Sequence, residues 1–332
     1  MTSDEKMLAL MKEIESKTGV TIRTDEPLSR YCSARIGGAA EFLIEVNTAA
    51  QLEDVIVLLW RNGIPYYLLG GASNVLISDQ GLPGIVIINR ARGKGRVRIS
   101  KTEDMIWAES GVNFGNLARL AAELGLSGLE WAIGIPGTVG GAVVNNAGAF
   151  GGDIAHSLIM AEILQQDIAI GAQAYSLDRW TASDFDYSYR GSRLKNKKEN
   201  VVVLNASFKV YKDDPQSIKM KIMELSEKRQ KSQPSGASLG SIFKNPIGDY
   251  AGRLIEEAGL KGLQMGGARI SREHANFIIT SENACAKDVW DLINIARQTV
   301  WEKYGIWLEL EIQLLGQFPQ QEKQDAINFV TR

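Results

Sequence analysis

The sequence predicts an α+β protein of at least two domains, and three observations indicate this class. The 332 residues, 45% of them hydrophobic, are enough to bury two cores. Up to about Val210, short apolar strands outnumber helices. From Pro215 a long charged helix begins a region of different pattern. We therefore expect a domain boundary after residue 212.

The charge balance excludes several classes of partner. Acidic and basic residues are well mixed and the net charge is -2, so we expect no binding of nucleic acid. Charged residues interrupt every apolar run near the N-terminus, which predicts neither a signal peptide nor membrane insertion. Cys32 and Cys285 lie far apart without a CxxC neighbour, so we expect free thiols, no metal and a cytoplasmic protein. We also expect a monomer that acts on small molecules.

The first part of the chain begins with a helix and continues as strands mixed with helices. Residues 1–22 hold an amphipathic helix that ends at Gly19, a residue suited to the left-handed cap. The apolar face of this helix is formed by Met7, Leu8, Met11 and Ile14. Apolar runs predict strands at "AEFLIEV", "PYYLLGG", "GIVIIN", "RVRIS", "MIWAESG", "LIMAEIL" and "NVVVLNASFKV". Helical periodicity that stops at Gly63 and Gly125 predicts helices at "AAQLEDVIVLLWRNG" and "FGNLARLAAELG".

The second part of the chain is richer in helices. We expect helices at "SIKMKIMELSEKRQK" and "DYAGRLIEEAG" and a strand at "HANFIIT". A last helix, "CAKDVWDLINIARQTVWEKYG", has one apolar face formed by Val289, Leu292, Ile293, Ala296 and Val300. "IWLELEIQLLG" alternates as a strand, so Glu309 and Glu311 share a face that lines a cleft or is solvated. The tail after Gly316 is polar and expected to fray.

Two glycine-rich stretches carry the strongest binding signal. "LLGGASNVLI" lacks the GxGxxG spacing of a Rossmann site and the GKS of a P-loop. It predicts a tight turn, either without a ligand or with exposed N–H groups that bind an anion. "GLEWAIGIPGTVGGAVVNNAGAFGGDI" mixes eight glycines with apolar residues. This composition favours backbone packed against a large ligand, with Thr138 and Asn146 as polar contacts, over a glycine-tolerant buried loop.

Ser241 in "SLGSIFKNP" raises the question of nucleophilic catalysis. The chain has only two histidines, His156 and His274, and Ser241 is not the central serine of a GxSxG elbow, so a hydrolase nucleophile at Ser241 is disfavoured. A serine that caps a turn and a serine that donates a proton remain open at this point.

Several motifs, taken in order, resemble the UDP-N-acetylenolpyruvoylglucosamine reductase (MurB) family, in its compact class. The resemblance extends from Tyr31 to Gly316, nearly the whole chain. The motifs are "YCSARIGGAAEFLIEV", "LLGGASNVLISDQG", "GIPGTVGGAVVNNAGAFGG", "FDYSYRGSRLK", "GSIFKNP", "LIEEAGLKGLQMGGARISREHANFII" and "LELEIQLLG".

The resemblance implies a two-part FAD-binding module of the vanillyl-alcohol oxidase (PCMH) type, followed by a C-terminal α/β substrate-binding domain. We expect the module over residues 23–212, the substrate domain over 213–317 and a polar tail over 318–332. FAD is expected to bind noncovalently, because neither histidine lies in an attachment motif. The residues expected to contact FAD are Arg35, Gly70, Gly71, Ala72, Ser73, Asn74, Ile135, Pro136, Gly137, Thr138, Gly140, Gly141, Ala142 and Asn146.

The family reaction implies a peptidoglycan precursor as substrate. NADPH reduces the flavin, and hydride then passes from flavin N5 to the enolpyruvyl group of the UDP-sugar to give UDP-N-acetylmuramate. Arg190 corresponds to the arginine that holds the substrate carboxylate, although an arginine in isolation is more often a surface residue. Ser241 is expected to donate the proton, with help from Lys244, and Glu311 to assist in protonated form.

Other polar residues are expected to contact substrate, and parts of the sequence depart from the family pattern. The expected contacts are Tyr189, Lys244, Asn245 and His274. The alternative for Lys244 is a solvated lysine, and the alternative for Tyr189 is aromatic packing around Arg190. Leu310 and Gln313 stand where proline and arginine are common, and "CSA" precedes Arg35 where threonines and a bulky residue are frequent.

Two other functions stay open: a flavin-dependent oxidase of alcohols or sugars, and a nucleotide-binding module without catalysis.

Overall fold

The computed structural model describes residues 3–92, 95–100, 104–167, 174–196 and 200–319. The chain groups into two compact units. The first unit comprises Met1–Thr24, Phe42–Ala72 and Gly84–Lys231, and the second comprises Asp25–Glu41, Ser73–Pro83 and Ser232–Arg332. The predicted boundary after residue 212 lies before the charged helix that begins at Pro215. The two units instead divide at the end of this helix.

The predicted helices and strands are present except for most of the last strand, and three short helices and several further strands that the sequence did not indicate accompany them. The helices are α1 (Ser3–Thr18), α2 (Ala49–Arg61), α3 (Phe114–Glu123), α4 (Val139–Asn145), α5 (Ile154–Ser157), α6 (Arg193–Asn196), α7 (Pro215–Ser232), α8 (Ala251–Glu257) and α9 (Ala286–Tyr304). The strands are β1 (Ile22–Pro27), β2 (Ala39–Val46), β3 (Tyr66–Leu69), β4 (Val75–Ile77), β5 (Leu82–Asn89), β6 (Val97–Ser100), β7 (Met105–Glu109), β8 (Leu126–Ser127), β9 (Gly148–Ala149), β10 (Gly152–Asp153), β11 (Leu158–Gln166), β12 (Tyr175–Trp180), β13 (Val201–Lys209), β14 (Tyr211–Lys212), β15 (Ala237–Ser241), β16 (Gln264–Met265), β17 (Ala268–Ile270), β18 (Phe277–Thr280) and β19 (Gln313–Leu315).

The first unit is built on two sheets. One has the strand order β1-β2-β5-β3, in which β3 and β5 are parallel, and the other has the antiparallel order β12-β11-β13-β7-β6. Side-chain caps begin the helices: Thr48 accepts the N–H of Gln51 at α2, and Asn113 accepts the N–H of Asn116 at α3. Trp131 of the second glycine-rich stretch packs on Phe114 of α3, with ring centroids 5.5 Å apart.

The prediction for the N-terminal helix is correct except at Leu8. Gly19 has φ +69° after the last turn, as the left-handed cap requires. Met11 and Ile14 are buried, but the side chain of Leu8 is 56% exposed. Leu10 takes the fourth core position instead, because residues 7, 10, 11 and 14 follow the helical spacing and residue 8 does not.

A buried carboxylate holds the turn at the start of the second glycine-rich stretch. Glu130 is 3% exposed and accepts hydrogen bonds from Ser127 Oγ (2.5 Å) and the N–H of Gly128 (2.9 Å). Lys221 Nζ lies 3.6 Å from the Glu130 carboxylate. Burial alone would raise the pKa of Glu130, but the two hydrogen bonds and the lysine charge lower it overall. The turn is therefore stabilised by an ionised carboxylate.

The second unit combines an antiparallel sheet with two helices. The sheet has the order β15-β18-β17-β16, and α8 and α9 contribute to the core of the unit. The predicted apolar face of α9 is confirmed, because Val289, Leu292, Ile293, Ala296 and Val300 are at most 1% exposed.

The predicted last strand is wrong over most of its length. Only β19 (Gln313–Leu315) is a strand, and it pairs in parallel with β4. Before it, Leu310 forms an isolated bridge with Phe243. The prediction that the tail frays is also wrong at its start, because Phe318 is 9% exposed and packs on Trp290 with ring centroids 5.5 Å apart. The rest of the tail, from residue 320, lies outside the described residues.

Within the described part of the chain, no helix combines the length and the apolar character that crossing a membrane requires.

Candidate active site

The two glycine-rich stretches meet in the first unit. A Cβ placed on Gly70 would lie 2.2 Å from Thr138 Oγ1, and a Cβ placed on Gly71 would lie 2.7 Å from the Cα of Gly137. Neither separation is sterically allowed, so only glycine permits this approach at either position. The sequence predicted that both stretches bind one ligand, and the structure brings them into direct contact.

The turn after β3 presents backbone donors next to this contact. The N–H groups of Gly71 and Ala72 donate to no acceptor within the described residues. Ala72 has φ +42°, a left-handed conformation that a residue with a Cβ rarely adopts. Successive unpartnered N–H groups in such a turn form a concavity that suits an anion. The turn therefore fits a phosphate group of a dinucleotide cofactor.

Hydrogen bonds to Thr138 and Ser110 hold the second stretch in place. Thr138 is 8% exposed and its side chain accepts the N–H of Gly141 at the start of α4. The N–H of Gly140 donates to the carbonyl oxygen of Ser110 (2.8 Å). Ala142 is buried, Ile135 is partly buried, and Pro136 and Gly141 are exposed. The predicted FAD contacts of this stretch thus form a well-ordered loop and helix start, with exposed backbone at Pro136 and Gly141.

Asn146 has a positioning role that the sequence did not indicate. It has φ +46° and is 8% exposed. Its Nδ2 donates to the carbonyl oxygen of Ser188 (3.0 Å), and its Oδ1 accepts the N–H of Ala155 (3.0 Å). The side chain therefore links α4 to the loop that carries Arg190.

Three further hydrogen bonds attach this loop to the end of α4 and to β9. Tyr187 Oη donates to the carbonyl oxygen of Val143 (3.0 Å), and Ser192 Oγ donates to that of Val144 (2.5 Å). Arg190 Nη1 donates to the carbonyl oxygen of Gly148 (3.1 Å). Tyr187 is part-buried, and its burial raises its pKa, with the charge of Asp153 acting in the same direction. The loop and the second glycine-rich stretch are thus one connected structure.

Arg190 itself has a constrained backbone. Its φ is +57°, and its carbonyl oxygen accepts a hydrogen bond from Lys195 Nζ (3.2 Å). The guanidinium lies 5.7 Å from the ring centroid of Tyr189, which is 59% exposed. A left-handed arginine persists only where its surroundings determine it, and such positions concentrate at functional sites. Arg190 is therefore partly buried and fixed, unlike an ordinary surface arginine.

Ser241 lies in the second unit at the end of β15. The strand has an irregularity between Ser238 and Ser241, and Gly240 within it has φ +74°. Ser241 is partly exposed, and none of the hydrogen bonds among the described residues involves its hydroxyl. The irregularity therefore presents a hydroxyl that is available to a substrate.

The segment of Glu311 pairs with the residues that follow Ser241. The N–H of Glu311 donates to the carbonyl oxygen of Ile242 (2.8 Å), and the N–H of Lys244 donates to that of Glu309 (2.9 Å). In the same unit, Asn74 Nδ2 donates to the carbonyl oxygen of Glu311 (3.1 Å). The structure thus brings together two of the three predicted catalytic residues, whereas Arg190 belongs to the first unit.

Lys244, which is expected to assist Ser241, has a carboxylate partner in the structure. Lys244 Nζ lies 3.3 Å from Glu309 Oε2 and forms an ion pair with it. The pairing follows from the backbone hydrogen bond between the same two residues, which brings their side chains close together. Glu309 therefore has a counter-ion of its own.

The remaining predicted residues are in varied surroundings. Asn245 Oδ1 accepts the N–H of Ala251 at the start of α8 (3.1 Å). His274 Nδ1 accepts the N–H of Asn276 (3.2 Å), so the neutral ring carries its proton on Nε2. Burial lowers the pKa of His274. Ser73 is partly buried, and Arg35 is exposed with φ +55°.

Asn276 is a positioning residue that sequence analysis missed. It is 4% exposed, its Oδ1 accepts the N–H of Phe243 (2.9 Å), and its Nδ2 donates to the carbonyl oxygen of Phe243 (2.8 Å). It thereby fixes the backbone two residues after Ser241. The available signal was an amide between apolar residues in "HANFII", where a buried polar side chain needs a partner.

Comparison with known proteins identifies relatives along nearly the whole chain. Residues 40–167 match the model of an FAD binding domain, and residues 231–315 match the C-terminal domain of UDP-N-acetylenolpyruvoylglucosamine reductase. The enzyme of that name from Chloroflexus aggregans is 38% identical over 89% of this chain and 98% of its own. That from Caldicellulosiruptor bescii is 41% identical over 91% of this chain and 93% of its own. The crystal structure of the Thermus caldophilus reductase (MurB) aligns with a TM-score of 0.72 and 34% identity, over 90% of this chain and 99% of that one.

Proposed function

Because the chain belongs to the UDP-N-acetylenolpyruvoylglucosamine reductase family, we propose that it reduces the enolpyruvyl group of UDP-N-acetylglucosamine-enolpyruvate to UDP-N-acetylmuramate, a step of peptidoglycan precursor synthesis, with NADPH as the source of electrons. The predicted fold class, an FAD-binding module followed by the C-terminal domain of this family, is confirmed. The observation that carries the assignment of the catalytic centre is the backbone pairing between the segments of Ser241 and Glu311.

The residues of the two glycine-rich stretches fit FAD. The unpartnered N–H groups of Gly71 and Ala72 supply donors for its pyrophosphate, and the close contacts at Gly70 and Gly71 hold the turn against Gly137 and Thr138. When bound, FAD supplies the hydride. The further FAD contacts that we propose are Arg35, Ser73, Asn74, Ile135, Pro136, Gly140, Gly141 and Ala142. Asn146 acts by holding the loop of Arg190.

The proton comes from Ser241 in this proposal. Hydride addition leaves negative charge next to the substrate carboxylate, and a proton must then reach the carbon. None of the hydrogen bonds among the described residues involves the Ser241 hydroxyl, so its proton is available to the substrate. The N–H of Glu311 donates to the carbonyl oxygen of Ile242, the residue that follows Ser241, and Glu311 assists at the same centre.

Arg190 binds the substrate carboxylate. A guanidinium presents donors in a planar fork that matches a carboxylate, and it stabilises the charge that develops during hydride addition. The hydrogen bonds of its loop to α4 and β9 fix its backbone before substrate arrives. We propose Tyr189, Lys244, Asn245 and His274 as further substrate contacts, and His274 contributes the N–H of Nε2 as a donor.

An anaerobic two-step experiment tests the function. NADPH is added to the holoenzyme until the flavin absorbance is bleached, and the enolpyruvyl UDP-sugar is then mixed in. We expect reoxidation only with this substrate. Ser241→Ala should keep the rate of flavin reduction and lose orders of magnitude in the rate of reoxidation. A wild-type flavin that stays reduced would refute the function, and equal losses in both steps would refute the role of Ser241.

The proposed location is the cytoplasm. Both substrates are soluble nucleotides, and the two cysteines, Cys32 and Cys285, are free thiols. We expect the enzyme to be a monomer of 36.4 kDa, which light scattering after gel filtration measures directly.

A further inference from the structure

A buried arginine lies behind the paired segments of Ser241 and Glu311. Arg297 on α9 is 5% exposed, although arginine is rarely buried without a partner. Its Nε donates to the carbonyl oxygen of Leu308 (3.0 Å). Its Nη1 is buried and has no hydrogen-bond partner within the residues that the structure describes.

The same guanidinium contacts an aromatic ring from each of the two segments. It lies 5.4 Å from the ring centroid of Trp307 and 6.0 Å from that of Phe243. Trp307 and Leu308 belong to the stretch that leads to Glu311, whereas Phe243 follows Ser241 by two residues. One side chain therefore touches both segments, next to the bridge between Phe243 and Leu310.

Arg297 is an unfavourable choice if its task is only to attach α9 to the core. Burial of a guanidinium removes it from water, and here it lowers the pKa of Arg297 to about 10, with the charge of Glu309 acting in the opposite direction. A hydrophobic side chain of similar length would fill the same space without this desolvation. The contacts of Arg297 therefore indicate a purpose beyond adhesion.

We propose that Arg297 is a positioning residue for proton delivery: by its hydrogen bond to Leu308 and its stacking on Phe243 and Trp307, it sets the spacing between the segments that carry Ser241 and Glu311. The inference rests on the proposed function, and it concerns the oxidative half-reaction alone. An error of about 1 Å in the placement of a reacting group slows a reaction by about 10²-fold.

The test compares Arg297→Met with Arg297→Lys and with a matched control, Arg269→Met. Arg269 is an exposed arginine of β17 in the same unit and has no proposed role. Stopped-flow absorbance of each holoenzyme gives two rate constants, one for flavin reduction by NADPH and one for reoxidation by the enolpyruvyl UDP-sugar. For Arg297→Met we expect an unchanged reduction rate and a reoxidation rate lower by about 10²-fold. Arg297→Lys, which keeps the charge and a donor group but loses the planar fork, should recover part of this loss.

The amplitudes separate positioning from folding. A variant that merely unfolds in part loses reoxidation amplitude, while the molecules that stay folded keep the wild-type rate constant. A wild-type rate constant for Arg297→Met, with full or reduced amplitude, overturns the inference, as does an equal loss in Arg269→Met. If the wild-type enzyme itself fails to reoxidise with this substrate, the proposed function fails instead.

Discussion

The contact between Gly71 and Gly137 predicts a specific effect on cofactor binding. A Cβ at position 71 would lie 2.7 Å from the Cα of Gly137, whereas ordinary contacts begin at 3.4 Å. In Gly71→Ala the two backbones must therefore separate by several tenths of an ångström. Neither atom belongs to a flexible side chain, so rotation of a side chain cannot relieve the clash.

The magnitude follows from the cost of overpacking. Added methyl groups in tightly packed sites cost about 1–3 kcal/mol. In the apoprotein the turn after β3 can move away from the clash. Bound FAD requires both stretches in place, so the overpacking raises the free energy of the FAD complex and weakens binding. At 1.4 kcal/mol per tenfold change, the Kd of FAD should rise by about 5- to 150-fold.

The assay is a fluorescence titration of apoprotein with FAD. Gly63→Ala is the matched control, because its Cβ meets nothing within 4 Å and only the left-handed backbone at φ +64° is strained. The control should lose about 1 kcal/mol of unfolding free energy and keep the wild-type Kd. Wild-type affinity in a well-folded Gly71→Ala protein would show that close approach of the two stretches is not needed for FAD.

Three further predictions concern buried polar groups. The carboxylate of Glu130 has a lowered pKa, so its stabilisation is present above the ordinary value of 4.5 and is lost as the pH falls through the lowered pKa. Glu130→Gln should cost about 1.5–3 kcal/mol at neutral pH, and urea unfolding curves should show the difference shrinking in acid. Asn276→Ala leaves the N–H and the carbonyl oxygen of Phe243 unpartnered and should cost about 1–3 kcal/mol of unfolding free energy for each group. Asn276→Ser should cost less wherever its hydroxyl restores one of the two hydrogen bonds. Calorimetry that shows no loss for Asn276→Ala would contradict this prediction. The NMR signal of His274, assigned by its disappearance in His274→Gln, should titrate below the ordinary histidine pKa of 6.5 because of burial.

Local pattern was enough to predict the elements whose burial follows their own periodicity. The apolar face of α9 is an example, since a helix that packs on one side must repeat its apolar residues every three or four positions. That both glycine-rich stretches serve one ligand followed only from the family resemblance, because glycines in a tight turn are equally typical of a turn without a ligand.

Pairings between distant residues could not be read in the same way. The alternation in "IWLELEIQLLG" suits a strand, but whether a strand forms depends on its partner, and Gln313–Leu315 pairs with β4 while the preceding residues bond to Ile242 and Lys244. The ion pair of Lys244 with Glu309 joins residues far apart in sequence, so no local spacing indicates it. The sequence around Arg297 does not distinguish it from other polar residues of a helix, and only its tertiary contacts show what it touches.

The attachment of the Arg190 loop to α4 and β9 makes mutational tolerance in this region asymmetric. In all four hydrogen bonds the donor is a side chain, from Asn146, Tyr187, Arg190 or Ser192, and the acceptor is a main-chain oxygen. Every residue type has a carbonyl, so evolutionary drift at the acceptor positions leaves the bonds intact, whereas drift at a donor removes one. Homologues should accordingly vary at Val143 and Val144 while keeping the donors, and a chain that has lost several donors would be a candidate for a changed substrate.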